Sequence, residues 1–164
     1  MKAVYPGSFD PITIGHLDVL ERAIPLFDVI VAVATHSPKT MLFSVEERMA
    51  MVEEAIRDHF KAEDRSRLMV DHFDGLLVDH LKKTGRYVIL RGLRAVSDYE
   101  YELQLAHMNR RLMPSAETVF LVASPQYSFL SSTLVKEVIR LGGDVSSMVP
   151  KSVEERLKAK ITER

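Results

Sequence analysis

An α/β fold, a doubly wound sheet of about five mostly parallel strands with helices on both faces, is predicted by three observations on the sequence. Apolar runs of strand length alternate with stretches of helical period along the chain. One of those runs, Val29-Ile30-Val31-Ala32-Val33-Ala34, lacks the alternation of a half-exposed strand, so both of its faces must be covered, as in a parallel sheet. No repeat, linker or low-complexity segment interrupts the pattern, and residues 1–164 read as a single domain.

The elements follow in order. Ala3-Val4-Tyr5 is the first strand, and Leu20, Ala23, Ile24 and Phe27 fall at helical spacing behind it. After the second strand, Ser44-Val45-Glu46-Glu47 places a hydroxyl three residues before a glutamate. That capping box predicts a helix to about Phe60. Further strands are predicted at Leu68 to Phe73, Tyr87 to Leu90 and Thr118 to Val122, with helices near Leu76 to Thr84, Asp98 to Leu112 and Ser132 to Leu141. Lys82, Lys83 and Gly85 make a favourable helix end. Ser152-Val153-Glu154-Glu155 repeats the capping pattern and predicts a carboxyl-terminal helix near 152–161. In such a Rossmann-like sheet ligands bind beyond the carboxyl ends of the strands, so functional residues are expected just after strands.

Bulk properties narrow the class. With 164 residues, 46% of them hydrophobic and 27% charged, the chain has the composition of one globular domain. A chain this long buries roughly 68–70% of its unfolded surface, enough to fold without disulfides, and cysteine is absent. The amino terminus meets Pro6 and Gly7 before any long apolar stretch, and the run Val29 to Ala34 is too short to span a bilayer. A soluble, cytoplasmic protein with no membrane partner is expected. A net charge of -1 argues against coating a nucleic acid, while local pairs such as Arg91 with Arg94 and Arg110 with Arg111 suit small phosphorylated ligands.

The segment Tyr5-Pro6-Gly7-Ser8-Phe9-Asp10-Pro11-Ile12-Thr13-Ile14-Gly15-His16 lies directly after the first strand and before the first helix. Gly7 and Gly15 permit close backbone approach, Ser8 and Thr13 bring hydroxyls, and a helix start offers free amides to an anion. His16 adds a hydrogen-bonding group at the same place. Neither the G-x-G-x-x-G pattern of dinucleotide folds nor a P-loop is present. A lone histidine in a tight loop more often caps or packs; it is the whole constellation that points to a phosphate site.

Thr13-Ile14-Gly15-His16 resembles the T/H-x-G-H signature of the adenylyltransferase and cytidylyltransferase superfamily. Ile89-Leu90-Arg91-Gly92-Leu93-Arg94-Ala95-Val96-Ser97-Asp98-Tyr99-Glu100-Tyr101-Glu102 and Phe129-Leu130-Ser131-Ser132-Thr133-Leu134-Val135-Lys136-Glu137 resemble the bacterial phosphopantetheine adenylyltransferase family, in matching order from Lys2 to about Pro150. Ile14 stands where many members have asparagine, and Leu130 where isoleucine is common.

The resemblance implies roles for residues that would otherwise stay ambiguous. Arg91 and Arg94, three apart after a buried strand, are alone as readily a solvated pair as a phosphate clamp. The family places the equivalent of Arg91 on the phosphopantetheine side, and Gly92, Leu93, Arg94 and Glu102 in the ATP site. Glu102 alone reads as an exposed helix charge, or as an acceptor for ribose hydroxyls. Ser131, Ser132 and Thr133 alone read as helix capping; the stretch Tyr127, Ser128, Phe129, Leu130, Ser131, Ser132 and Thr133 matches an ATP-site segment. Lys39, in Ser37-Pro38-Lys39, matches a lysine that holds the acceptor and phosphates, and Leu77 a residue whose backbone meets the pantetheine arm. Ser8 takes the place of a hydroxyl that meets both substrates, with Phe9 beside it in the ATP site, and His16 that of a transition-state stabiliser.

The implied reaction joins ATP and 4'-phosphopantetheine to give dephospho-coenzyme A and pyrophosphate, with Mg2+ carried on the nucleotide phosphates. A homohexamer inhibited by coenzyme A is implied with it. Asp71, His72, Asp74, Asp79 and His80 contain ligand residue types but no metal-site spacing, so no dedicated metal site is expected. Serine-hydrolase chemistry lacks its G-x-S-x-G pattern. Two alternatives stay open on the first loop alone: a nicotinate mononucleotide adenylyltransferase, and a nucleotide-binding regulator that does no chemistry.

Overall fold

The computed structural model describes residues 1–36 and 40–162. Five strands, β1 (Lys2–Gly7), β2 (Asp28–Ala34), β3 (Leu68–Phe73), β4 (Val88–Leu93) and β5 (Glu117–Val122), form one sheet in the order β3-β2-β1-β4-β5. Every neighbouring pair is parallel, so the sheet is wholly rather than mostly parallel. The helices are α1 (Ile14–Ala23), α2 (Val45–His59), α3 (Ala62–Arg65), α4 (Leu77–Thr84), α5 (Val96–Leu112), α6 (Ser132–Arg140) and α7 (Lys151–Thr162). The one-turn α3 and a 3-10 turn at Pro125–Tyr127 carry no periodic signal and are absent from the sequence prediction.

Side-chain alternation along the central strands sorts the core onto two faces. Ala3, Tyr5, Val29, Val31 and Val33 pack with Leu17 and Leu20 of α1, Met51 and Val52 of α2, and Val153 and Leu157 of α7. Val4, Ile30, Ala32 and Ile89 pack on the other side with Val78 and Leu81 of α4 and with Met113 and Ala116. The unbroken apolar run of β2 is the sequence record of this two-sided burial.

Two cap expectations meet different outcomes. Ser44 caps α2, accepting from Glu47 N at 3.2 Å while Glu47 Oε2 accepts from Ser44 N at 2.8 Å. The same pattern at Ser152 fails. Helix α7 already begins at Lys151, Val153 and Glu154 donate to the Pro150 carbonyl, and Ser152 Oγ is buried without a partner. Proline presets the backbone for a helix start, and Pro150 takes the position that the hydroxyl pattern assigned to Ser152.

Strand order reverses between β1 and β4, the point where an open parallel sheet leaves a crevice beyond its carboxyl ends. Gly7 closes β1 there, and Arg91 to Leu93 end β4. Arg91 therefore lies within β4, which runs three residues past the boundary at Leu90 that the sequence suggests. Among the described residues no helix is long and apolar enough to cross a membrane.

Candidate active site

A cavity of about 560 Å³ opens at this crevice, and a second of about 570 Å³ adjoins it. The first is lined by the loop after β1, the end of β4, the start of α6 and the 3-10 turn. The second is largely apolar, with Ala34, Phe73, Leu77, Ile89, Leu105 and Ala106 in its wall. Pro6, Gly7, Ser8, Arg91, Tyr101 and Glu102 line both. They form a common border between a polar and an apolar chamber.

Buried side chains and ties to other elements hold the loop of residues 8–13. Phe9 is 1% exposed at a φ of 46°, a conformation few side chains adopt, and its ring packs against Tyr5 at 5.5 Å and His16 at 5.1 Å between centroids. Gly7 is required by that packing: a Cβ there would sit 2.9 Å from the Phe9 ring. Arg48, 2% exposed, donates to the carbonyls of Ser8 at 2.7 Å, Ala34 at 2.8 Å and Ser44 at 3.3 Å, joining the loop to the end of β2 and the start of α2.

Asp10 is a second anchor. Its carboxylate accepts from Leu42 N, from Phe43 N and, at 2.7 Å, from Lys136 Nζ of α6. Ser132 Oγ donates to the Pro11 carbonyl at 2.7 Å. The start of α6 is thereby locked onto the loop that carries His16.

His16 combines both readings open in the sequence. Thr13 caps α1, and the His16 ring completes a capping box by accepting from Thr13 N through Nδ1 at 3.0 Å. An accepting Nδ1 places the neutral ring's proton on Nε2, which leaves Nε2–H as its donor. Burial, then the nearby charges of Arg94 and Arg91, push the pKa down to about 4. The ring is neutral at pH 7 and donates without adding a charge.

Arg91 and Arg94 both reach the first cavity, as their spacing suggests. Arg94 donates to Asp98 through Nε at 3.1 Å and to the Leu130 carbonyl at 2.8 Å. Arg91 donates to the Pro6 carbonyl at 2.7 Å, to Glu102 Oε2 at 2.6 Å and to Glu102 Oε1. Glu102, 8% exposed, is thus no surface helix charge but half of a fork-to-fork pair. Burial works against the Arg91 charge and Glu102 more than offsets it, raising the guanidinium pKa.

Of the residues expected at the nucleotide, Ser8, Phe9, His16, Gly92, Arg94, Glu102, Tyr127, Leu130, Ser131, Ser132 and Thr133 converge on the first cavity. Leu93, Ser128 and Phe129 line neither cavity. Ser128 Oγ is bonded to the Pro125 carbonyl, and the Phe129 side chain is 60% exposed. Ser131 Oγ accepts from Leu134 N and Ser132 Oγ is bound to Pro11, so this helix start offers backbone amides and the Thr133 hydroxyl rather than three free hydroxyls. Leu77 lines the second cavity, beside Phe73 and Ile89. Lys39 lies outside the described residues.

Sequence reasoning missed Asp10, Arg48, Tyr101 and Lys136. Arg48 left a signal: it falls on the same helical face as Met51, Val52 and Ala55, where a charge needs a partner. No three His, Cys, Asp or Glu side chains among the described residues are grouped to hold a metal ion. Asp71 and His80 come no closer than 4.0 Å.

The cytidylyltransferase-like family description matches residues 4–138. By structure the chain is similar to the nicotinic acid mononucleotide adenylyltransferase of Plasmodium falciparum complexed with NaAD, with a TM-score of 0.69, 16% identity and coverage of 99% of this chain and 96% of that one. A putative nicotinate-nucleotide adenylyltransferase from Vibrio parahaemolyticus gives a TM-score of 0.69 at 19% identity, over 100% and 98% of the two chains. At such identities the likeness establishes the shared fold. Sequence relatives go further: the phosphopantetheine adenylyltransferase of Geotalea daltonii is 53% identical over 96% of this chain and 95% of its own. That of Dictyoglomus turgidum is 50% identical over 98% and 97%. With identity of about half over nearly the whole of each chain, and a family description matching residues 4–138, the chain belongs to the phosphopantetheine adenylyltransferase family of cytidylyltransferase-like nucleotidyltransferases.

Proposed function

We propose that this nucleotidyltransferase moves the adenylyl group of ATP onto the phosphate of 4'-phosphopantetheine, giving dephospho-coenzyme A and pyrophosphate. The observation that carries the reading is the meeting of two chambers over Ser8 and Arg91, one polar and bearing His16, the other apolar and bearing Leu77. A phosphorylated acceptor with an extended arm fits such a border. Its arm lies along Leu77, and its phosphate turns toward the nucleotide.

The attacking phosphate oxygen is already ionised at neutral pH, so no protein base is needed. Catalysis consists of aligning two anions and offsetting charge in the transition state. ATP is assigned to Ser8, Phe9, His16, Gly92, Arg94 and the start of α6, and the acceptor phosphate to Ser8, Lys39 and Arg91. His16 Nε2–H donates to an oxygen of the reacting α-phosphate.

Mg2+ is assigned to the nucleotide and not to a protein cage. Asp10, a carboxylate deep in the cavity wall, already accepts from Leu42, Phe43 and Lys136, and no group of ligand side chains surrounds it among the described residues. Bound through the triphosphate, the ion would neutralise phosphate charge. The homohexamer and the inhibition by coenzyme A implied by the resemblance belong to the same reading.

The test supplies ATP and Mg2+ with one acceptor at a time and measures pyrophosphate. Release with 4'-phosphopantetheine, and none with nicotinate mononucleotide, is the expected result. Release only with nicotinate mononucleotide, or ATP binding with no release, would overturn it.

A further inference from the structure

We propose that His80 is a titrating positioning residue for the apolar chamber: its neutral ring supports acceptor binding, and a proton draws the ring toward Asp71 and weakens that binding. The inference rests on the function proposed above, which lays the acceptor's arm in this chamber. Three observations carry it. The His80 side chain, on α4, is 3% exposed, and its Nε2 has no hydrogen-bond partner among the described residues. Across the seam stands Asp71 of β3, whose Oδ1 accepts from His72 N at 2.8 Å. Its Oδ2 faces Nε2 at 4.0 Å, too far for a hydrogen bond. The pair also backs the chamber wall. Phe73, two residues beyond Asp71 on the same side of β3, holds its ring 5.6 Å from the His80 ring between centroids. Leu77 lies one turn before His80 on α4, and both Phe73 and Leu77 line the second cavity.

The charges around the ring set when it titrates. Burial holds its pKa below the ordinary 6.5; Asp71 pulls it up, while Lys83 of α4, His72 of β3 and Arg86 beyond α4 push it down. The ring is therefore neutral at pH 7 and takes a proton only below pH 6.5. An imidazolium buried there needs a partner. Nε2–H then donates to Asp71 Oδ2, and closing 4.0 Å to a charge-assisted bond of about 2.8 Å shifts the seam between β3 and α4 by about 1 Å. Phe73 and Leu77, one on each side of the seam, move with it.

The sign follows from desolvation. An acceptor arm against Phe73 and Leu77 displaces water from the chamber, so a charged ring costs more in the complex than in the free protein. By linkage, acceptor binding lowers the His80 midpoint, and a proton on His80 lowers acceptor affinity by the same factor. ATP, assigned to the other chamber, is spared.

The experiment follows the His80 ring by NMR through a pH titration, with and without saturating 4'-phosphopantetheine, using His80→Phe to identify its resonance. Calorimetry then gives Kd for 4'-phosphopantetheine and for ATP at pH 7.5 and at one unit below the free midpoint, in the wild type, His80→Phe and Asp71→Asn. We expect a free midpoint below 6.5 that the acceptor moves down by about half to one pH unit. Between the two pH values the acceptor Kd should then rise about three- to fivefold more in the wild type than in His80→Phe, with no such difference for ATP. Titration of the acceptor's own phosphate cancels in that comparison. Asp71→Asn should lower the His80 midpoint further, because the one charge that raises it is gone; this variant carries the test if His80→Phe does not fold. A midpoint that the acceptor leaves in place, one that Asp71→Asn leaves in place, or an equal pH dependence in His80→Phe and the wild type would overturn the inference. Failure of the wild type to bind 4'-phosphopantetheine at either pH would instead overturn the function on which it rests.

Discussion

His16 shows what one side chain gains from its neighbours. Its Nδ1 is engaged with Thr13, so the ring is held as a single tautomer with its donor on Nε2. His16→Ala should keep the fold and most ATP affinity while lowering kcat by roughly 10²–10³, the loss expected for one preorganised donor. Steady-state rates together with nucleotide titration check this; near-normal turnover in a folded variant would remove His16 from the reaction. The proton itself is also measurable. In the free protein, NMR titration of the ring should give a midpoint of about 4 in place of the ordinary 6.5. Because the folded chain binds this proton more weakly than the unfolded chain, the associated stability is full above pH 6.5 and is lost as pH falls through about 4. A midpoint near 6.5 would show that burial and the two arginines do not control the ring.

At the same scale, the sequence was uneven in what it disclosed. His16 was legible because its chemistry is local: strand end, glycines, hydroxyl and histidine lie within one short segment. Glu102 was not, because its environment depends on a strand residue eleven positions away and on the packing of α5 over β4. Lys136 and Asp10 are 126 residues apart, and no local pattern announces their pair.

Among the elements, the helix starts separate good local rules from overridden ones. Ser44 and Ser152 carry the same hydroxyl-x-x-glutamate pattern, yet only Ser44 caps. Ser44→Ala should therefore destabilise by about 0.5–2 kcal/mol, while Ser152→Ala should leave the melting temperature unchanged or raise it, since its hydroxyl is buried without a partner. Paired thermal unfolding of the two variants distinguishes these outcomes. A larger loss at Ser152 than at Ser44 would restore the sequence-based cap. Strand positions, by contrast, were well read from the apolar runs, because period and two-sided burial are properties of the segment itself. What the runs lacked was their ends: β1 continues through Pro6 to Gly7 and β4 through Gly92 to Leu93, since pairing with a neighbouring strand decides where a strand stops.

For the whole molecule, the sheet order places the ends of β1 and β4 side by side, and three long-range ties complete the site around them. Asp10 with Lys136 joins the first loop to α6, Arg94 with the Leu130 carbonyl joins β4 to the same helix start, and Arg48 joins that loop to β2 and α2. Arg48→Met would orphan the carbonyls of Ser8 and Ala34. We expect a loss of about 1–3 kcal/mol in all for these half-buried acceptors, read by denaturant unfolding, and a fall in turnover that exceeds the change in ATP affinity. Unchanged stability would mean that water replaces the guanidinium without cost.

In the proposed reaction two substrates held in adjoining chambers react directly, with the protein aligning them and supplying no nucleophile. The most direct measurement is the stereochemical course at the α-phosphorus, followed with ATP made chiral at that position by sulfur substitution. A single in-line displacement predicts inversion of configuration. Retention would require a covalent adenylyl intermediate on a protein side chain, and would exclude direct transfer between the two substrates.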